Sequence, residues 1–472
     1  MSRRVLTAML AAAMLAASPA HAAPKIDRQM ATYVQARADL GQFNGVVLVL
    51  KGDKVLFQKA YGWANVEQRV PNRMDTRFAV ASITKQFTAA AILQLRDAGK
   101  LRLEDSICQY YEGCPEAWRP VTLKHLLNHT GGVPDYEEPL ELFSAEYTSF
   151  IGRPDNIDRI LKEAVTKPLD FAPGAKFHYS NTGYILLSRV IARVSGMSYE
   201  RYIEDRLLAP AGMSLSSIDD GLYVPGAAQG YHSREGTPLK TLLAGMKIEE
   251  LPLQPRNPGD MSGDHGDGSL WTTAGDLAKW VRALEAGEIV SPASLREMQD
   301  GGAHGYGYGL ESIEASGRRR IRHTGGVNGF VSVVQWYPDH DITIVVLSNY
   351  IGSRTNQIMR DLTLILFGLP YDVPRPQLIV DPEPDGYPAL WGDYVYDNSP
   401  AKVRWDGEML LLEVPGRFTA GLLPKADGTF YAPFLEGTVR VKPDGTGFIV
   451  HRLGADMDVP RKPAAPAAAP TS

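Results

Sequence analysis

Phe78-Ala79-Val80-Ala81-Ser82-Ile83-Thr84-Lys85 runs straight into Gln86-Phe87-Thr88-Ala89-Ala90-Ala91-Ile92-Leu93-Gln94-Leu95. From Ile83 to Leu95 the residues are mostly apolar or small, with no glycine or proline, and Gly99 follows. The pattern predicts a buried helix stopped by glycine, with Ser82 at its start. Lys85, three residues on, falls on the same face, where an ammonium can reach the serine hydroxyl. A serine at a helix start, with an amine in reach and unpaired backbone N–H groups around it, is laid out as an acylating nucleophile. Ser-x-x-Lys is a weak signal alone, and Ser399-Pro400-Ala401-Lys402 repeats it. There the flanking Val403, Trp405 and Leu410 to Leu412 about an Asp406-Gly407 turn predict a hairpin instead.

Two further short motifs lie downstream. Tyr179-Ser180-Asn181 stands between Pro173-Gly174 and an apolar helix, and Tyr396-Asp397-Asn398 shows how readily its pattern recurs. His323-Thr324-Gly325-Gly326 has a duplicate in His129-Thr130-Gly131-Gly132. The copy at 323 ends one strand pattern and enters another, where an extended edge could hold a substrate; the copy at 129 follows a helix and is set aside.

Around these motifs the chain divides as follows. Residues 1–22 read as a secretory signal peptide: Arg3 and Arg4, an apolar run from Val5 to Ala17, then Ala20-His21-Ala22. The run is too short to span a bilayer, so a periplasmic or secreted protein with no membrane span is expected. In that compartment the only two cysteines, Cys108 and Cys114, are expected to form a local disulfide. A helix over Ile26–Leu40 precedes a hairpin of Gly45–Lys51 and Val55–Gly62. Short helices and long loops fill Leu101–Pro258, including Leu123–Asn128 and Gly183–Val194. Strands are expected at Gly305–Glu311, Arg319–Thr324, Phe330–Tyr337 and Ile342–Asn349, then a helix at Thr355–Phe367. The fold class is α+β: one antiparallel sheet from the early hairpin and the late strands, flanked by helices, with the helical region inserted between. Residues 25–370 form this domain, 371–388 a proline-rich linker, 389–460 a small all-β domain, and 461–472 a disordered tail.

At 44% hydrophobic and 22% charged, with a formal net charge of −5, the chain shows no basic face, so nucleic acid is not an expected partner. Asp264, His265 and Asp267 lie in a glycine-rich turn and are not read as a metal site. No cofactor is called for, and oligomeric state is left open. No Gly-x-Ser-x-Gly occurs, which removes an α/β-hydrolase elbow.

Taken in order, Ser82-x-x-Lys85, Tyr179-x-Asn181 and His323-Thr324-Gly325 resemble the class C β-lactamase superfamily. That superfamily includes penicillin-binding-protein-type peptidases, D-aminopeptidases and carboxylesterases. Leu126 to Pro134 and Gly266 to Leu277 resemble it as well, and the likeness spans about residues 30 to 370, leaving the C-terminal β-domain outside. The resemblance implies a β-lactamase/transpeptidase-like fold and an acyl-enzyme on Ser82, with Lys85 and Tyr179 handling its proton. It further implies that Asn181 positions groups, that His323, Thr324, Gly325 and Gly326 line the substrate, and that the N–H groups of Ser82 and Gly326 form the oxyanion hole. A nearby Lys85 is expected to hold the Tyr179 phenol below its usual range. His323 stands where lactamases carry lysine. At an ordinary pKa near ~6.5 it is a poor clamp for a carboxylate and a candidate donor or acceptor beside Tyr179. The arginines at 318, 319, 320 and 322 are read as a solvated strand end in preference to a replacement charge. The expected activity is a peptidase or amidase on D-amino-acid or cell-wall-like peptides, with carboxylesterase, β-lactamase and a non-catalytic binding relative as alternatives. The expected partner is a small-molecule or peptide substrate.

Overall fold

The computed structural model describes residues 25–138, 156–219, 224–256, 266–315, 317–383 and 387–462. The expected signal peptide, Asp264 and His265, and the chain from residue 463 lie outside them. Helix α1 (Lys25–Asp39) leads into strands β1 (Gly45–Lys51) and β2 (Lys54–Tyr61). Far along the chain follow β3 (Glu311–Ala315), β4 (Arg318–Val327), β5 (Phe330–Tyr337) and β6 (Ile342–Ser348), in a six-stranded antiparallel sheet of order β3-β4-β5-β6-β1-β2.

The strand sequences explain their burial on both faces. In β1, Val46 and Leu48 enter one core, while Val47 and Val49 enter the other. β6 divides likewise, sending Val345 and Leu347 one way and Ile344 and Val346 the other. A sheet covered on both faces calls for near-continuous apolar runs, and β1 and β6 have them. On one face α1 and the helix Thr355–Leu366 cover the sheet through Met30, Tyr33, Val34, Ile358 and Leu362. The other face carries the helix Lys85–Asp97 and the inserted helical region, whose longest member is Asn181–Ser195.

The segment Gly305–Glu311, expected as a strand, is not one. Gly305 and Gly309 both adopt left-handed backbone conformations (φ 69° and 68°), which break an extended run, and the strand begins only at Glu311. The bend serves a close approach: a Cβ on Gly309 would lie 2.5 Å from the carbonyl oxygen of Lys85. Cys108 and Cys114 are joined in a disulfide, as expected.

Beyond the linker, eight consecutive antiparallel strands run from Gly392–Tyr396 to Ala455–Pro460 around their own core. A bridge between Tyr394 and Arg461 brings the last residues back to the first strand, giving the sheet barrel character. Arg461 was expected to open the disordered tail, but its guanidinium donates to the carbonyls of Ala389 and Trp391, so the ordered chain reaches Lys462. Ser399 lies in the strand Ser399–Trp405, far from any helix start.

The barrel meets the main domain through charge. Glu436 accepts from Arg360 at 2.9 Å and sits 3.5 Å from Arg37, while Asp361 takes Arg360 at 2.7 Å and the Tyr33 hydroxyl at 2.6 Å. Two guanidinium groups thus share two carboxylates, one of which the barrel supplies. Glu436→Ala leaves both cations on Asp361 alone and is expected to cost roughly 1 to 3 kcal/mol in urea unfolding. An unchanged unfolding midpoint and slope would show that this contact does not hold the barrel.

Candidate active site

The nucleophile segment folds as a 3-10 turn, Ala81–Thr84, and the α-helix proper (α2, Lys85–Asp97) starts one residue later. Ser82 therefore sits on the turn and Lys85 opens the helix, a tighter arrangement than a shared α-helical face. Ala81, next to Ser82, has φ 47°, a left-handed conformation unusual for a residue with a side chain. Strand β4 presses on this turn. A Cβ at Gly325 would lie 2.0 Å from the Val80 carbonyl oxygen and 3.3 Å from the Ser82 nitrogen, so only glycine lets the strand come so near.

Lys85 is fully buried, and its ammonium end is surrounded by oxygen. Nζ lies 3.0 Å from Ser82 Oγ, 2.7 Å from Asn181 Oδ1 and 3.0 Å from the carbonyl oxygen of Asp267. Asn181 begins helix α3 (Asn181–Ser195), whose cap is Ser180. Its backbone N–H donates to Asp135 and its amide to Glu137 Oε2 at 2.8 Å. Tyr136 hydroxyl donates to Asp267 Oδ2 at 3.2 Å, bringing a third carboxylate to this side.

Tyr179 lies beside this group, its ring 4.9 Å from Lys85 Nζ. Part of the ring faces solvent, but the hydroxyl end is enclosed, and burial pushes the phenol well above its usual value. An interaction with Ser82 pulls the other way, while Asp267, Glu137 and Asp135 add to the rise. The expected lowering is thus overturned, because desolvation and three carboxylates outweigh the interaction with Ser82.

His323 is corrected as well. Its partner is Tyr306, not Tyr179: Nε2 lies 2.9 Å from the Tyr306 hydroxyl, and Nδ1 2.7 Å from the Thr324 carbonyl oxygen. The carbonyl can only accept, so the ring proton is on Nδ1 and Nε2 accepts from Tyr306. Burial first, then the Lys85 charge, brings the imidazole down to about 3, so it is neutral at physiological pH. Three of the four neighbouring arginines are engaged elsewhere: Arg322 with Glu311 at 2.7 Å, Arg319 with Gln299 at 2.8 Å, and Arg318 over the Phe367 ring. Thr324 pairs with Val333, and the exposed Gly326 with Val331. Strand β3 pairs with β4 only as far as Arg322, leaving the β4 edge from His323 onward free of β3.

Three features of the site were missed from sequence. His129, set aside as a decoy, stacks on Tyr179 with ring centroids 4.2 Å apart. Tyr306 was placed in a strand, and Asp135 and Glu137 were not singled out. The Asp135-Tyr136-Glu137 run directly after Gly131-Gly132-Val133-Pro134 was the signal available. Asp267 lies in a turn, as expected, and that turn is buried in the site. Apart from this, Glu138, Asp170 and His178 cluster near the surface.

A serine with a lysine on its hydroxyl, a tyrosine beside both and an open strand edge, carried on an α+β sheet, form the arrangement a serine acyl-transfer enzyme needs. The family model described as Beta-lactamase matches residues 30–365, and the chain belongs to that family of serine hydrolases. Penicillin-binding protein 4* of Bacillus subtilis (strain 168) is 30% identical over 92% of this chain and 98% of its own length, so the likeness takes in the C-terminal barrel. A D-aminopeptidase of Brucella anthropi is 26% identical over 68% of this chain and 59% of its own. Among solved structures, a penicillin-binding protein from Bacillus halodurans superposes with a TM-score of 0.61 at 27% identity, covering 71% of this chain and 99% of that one. An octameric penicillin-binding protein homologue from Pyrococcus abyssi shares the fold over 92% of this chain and 100% of its own, with a TM-score of 0.65 at 23% identity. Among the described residues no helix is long and apolar enough to cross a membrane.

The neutral His323 makes a pH prediction. Its folded pKa is depressed, so below about pH 6.5 the unfolded chain takes up a proton that the folded protein refuses. Its stabilising contribution is therefore complete above that pH and is lost as pH falls toward 3. The slope is up to about 1.4 kcal/mol per pH unit. His323→Gln is expected to flatten the decline of urea-unfolding free energy between pH 6.5 and 4.5; parallel wild-type and variant curves would contradict a neutral buried imidazole.

Proposed function

We propose that this is an exported serine hydrolase working through an acyl-enzyme on Ser82, a peptidase or amidase for D-amino-acid or cell-wall-like peptides. The observation that carries the reading is the oxygen cage on Lys85. At rest the Lys85 ammonium donates to Ser82 Oγ, Asn181 Oδ1 and the Asp267 carbonyl; in the reactive form, after one proton has gone to solvent, the two obligate acceptors hold the remaining N–H bonds and leave the amine lone pair for the Ser82 hydroxyl. Lys85 then removes the Ser82 proton as Oγ bonds to the acyl carbon. Tyr179, kept protonated by burial and carboxylates, gives its proton to the leaving nitrogen as the C–N bond breaks, and Lys85 restores it. Water repeats the sequence to release the acid. The N–H groups of Ser82 and Gly326 hold the oxyanion.

The charge pattern supports the choice of substrate. A free carboxylate beside the scissile bond would meet a neutral His323 where a lysine would attract it, with Glu137 and Asp135 close to Asn181. That disfavours β-lactams and D-Ala-D-Ala ends alike and, among the peptides proposed, favours D-aminoacyl amides, whose free amine suits a carboxylate-rich site. The D-aminopeptidase relative points the same way. Esters fit the same neutral surroundings and form the second reading, carboxylesterase.

The test is a panel of D-alanyl p-nitroanilide, D-Ala-D-Ala peptide, p-nitrophenyl acetate and nitrocefin on wild type and Ser82→Ala. D-aminoacyl anilide turnover that Ser82→Ala reduces by at least about 10⁴-fold is expected. Nitrocefin as the preferred substrate would contradict the charge argument, and activity surviving in Ser82→Ala would remove the acyl-enzyme. The mature protein recovered from the native periplasm or medium is expected to begin after Ala22.

A further inference from the structure

His129 has no part in the proton transfers proposed above, yet it is buried beside them, 2% exposed. Its backbone is left-handed, with φ 57°. A side-chain-bearing residue in that region is held there by its surroundings, and the contacts identify what the conformation serves. The main-chain oxygen of His129 accepts the N–H of His178 at 2.9 Å, and its Nδ1 accepts the N–H of Ser180 at 3.1 Å. These two N–H groups flank Tyr179 on either side. Between them the imidazole lies against the phenol ring at 4.2 Å, tilted by 32°.

We propose that His129 is a positioning residue for Tyr179: its carbonyl and Nδ1 grip the backbone on both sides of the tyrosine, and its ring sets the plane of the phenol over Ser82 and Lys85. The inference rests on the reading that Tyr179 handles the acylation proton.

The chemistry of the imidazole fits the task. To accept from Ser180, Nδ1 must be unprotonated, so the ring proton sits on Nε2. Nε2 is buried and has no hydrogen-bond partner among the described residues, so the acceptor at Nδ1 is the polar contact this ring makes. The rings of Tyr306, Tyr184 and Phe177 surround it at 4.7, 5.1 and 5.9 Å. Burial, reinforced by the Lys85 charge, holds the imidazole well below its usual pKa and keeps the acceptor available. A residue that only filled space here would not need an acceptor at that atom.

The experiment is a double-mutant cycle on D-alanyl p-nitroanilide and p-nitrophenyl acetate, using full-length mature protein. His129→Phe keeps a ring and removes the acceptor; His129→Asn keeps an acceptor near the Nδ1 position; Tyr179→Phe removes the phenol hydroxyl. His129→Phe is expected to lower kcat about a hundredfold, the scale of a misplaced catalytic group, with KM changed far less. His129→Asn should recover most of the loss. In the Tyr179→Phe background His129→Phe should cost nothing more, since the group it positions is gone. Should His129→Phe not fold, His129→Gln, which carries its acceptor further out, is read in the same cycle. Wild-type kcat in His129→Phe, or a loss that adds in full to that of Tyr179→Phe, would overturn the proposal while leaving the tyrosine's role standing. A fully active Tyr179→Phe, or wild type without Ser82-dependent turnover of either substrate, would instead overturn the reading of the site on which this inference depends.

Discussion

A lysine amine held out of water is the constraint on which this molecule turns. Desolvating an ammonium costs several kcal/mol unless oxygen atoms replace the water, and here they come from three separate places in the chain. Asn181 brings the start of a helix, Asp267 the turn before the strand Leu270–Thr272, and Ser82 the 3-10 turn in front of Lys85 itself. Each partner is anchored in turn. Asn181 is fixed by Asp135 and Glu137, and Asp267 by Tyr136, so the loop after residue 131 ties the first two together. The inserted helical region therefore does more than cover the sheet, because it supplies the acceptors without which Lys85 could not be buried.

The sheet and the glycine bend that leads into it contribute closeness. Twisted strands ordinarily stand off from a helix by the thickness of a side chain, and at Gly325 and Gly309 that spacing is removed, letting backbone meet backbone on two sides of the Val80–Gln86 segment. The turn is squeezed between them, and Ala81 takes its left-handed conformation there. The cost of that conformation falls at the residue next to Ser82.

Much of the frame was legible because it is written in short-range pattern. Phe330–Tyr337 coincides with its strand, and Thr355 to Leu366 and Gly45 to Lys51 fall within a residue of expectation, since alternating or amphipathic burial depends on neighbours in sequence. Gly305–Glu311 misled because glycine-separated aromatics imitate alternation, whereas the glycines were there to bend the chain. The motifs around Ser82, Tyr179 and His323 were picked out by order and context. Their electrostatics were not: the state of Tyr179 depends on Asp135, Glu137 and Asp267, and that of His323 on burial beside Tyr306, all contacts across long stretches of chain. His129 was lost for the same reason. Its local setting, after a helix, is what a decoy would have, and only the return of the chain at residues 178 to 180 gives it a partner.

The exchange of lysine for histidine in the third motif reaches further than the substrate. A lysine at 323 would put a second cation in the same desolvated space as Lys85, and each would raise the cost of charging the other. A neutral imidazole removes that competition and turns the position inward, closing a chain from Thr324 through His323 to Tyr306, whose ring in turn touches those of His129 and Tyr179. The substitution thus exchanges a long-range attraction for an aromatic wall. With carboxylates on the Asn181 side and no charge on the His323 side, the favourable field for an oxyanion at Ser82 comes from Lys85 and the backbone N–H groups. On the function proposed above, that arrangement suits substrates that develop negative charge only in the transition state better than substrates that bring it with them.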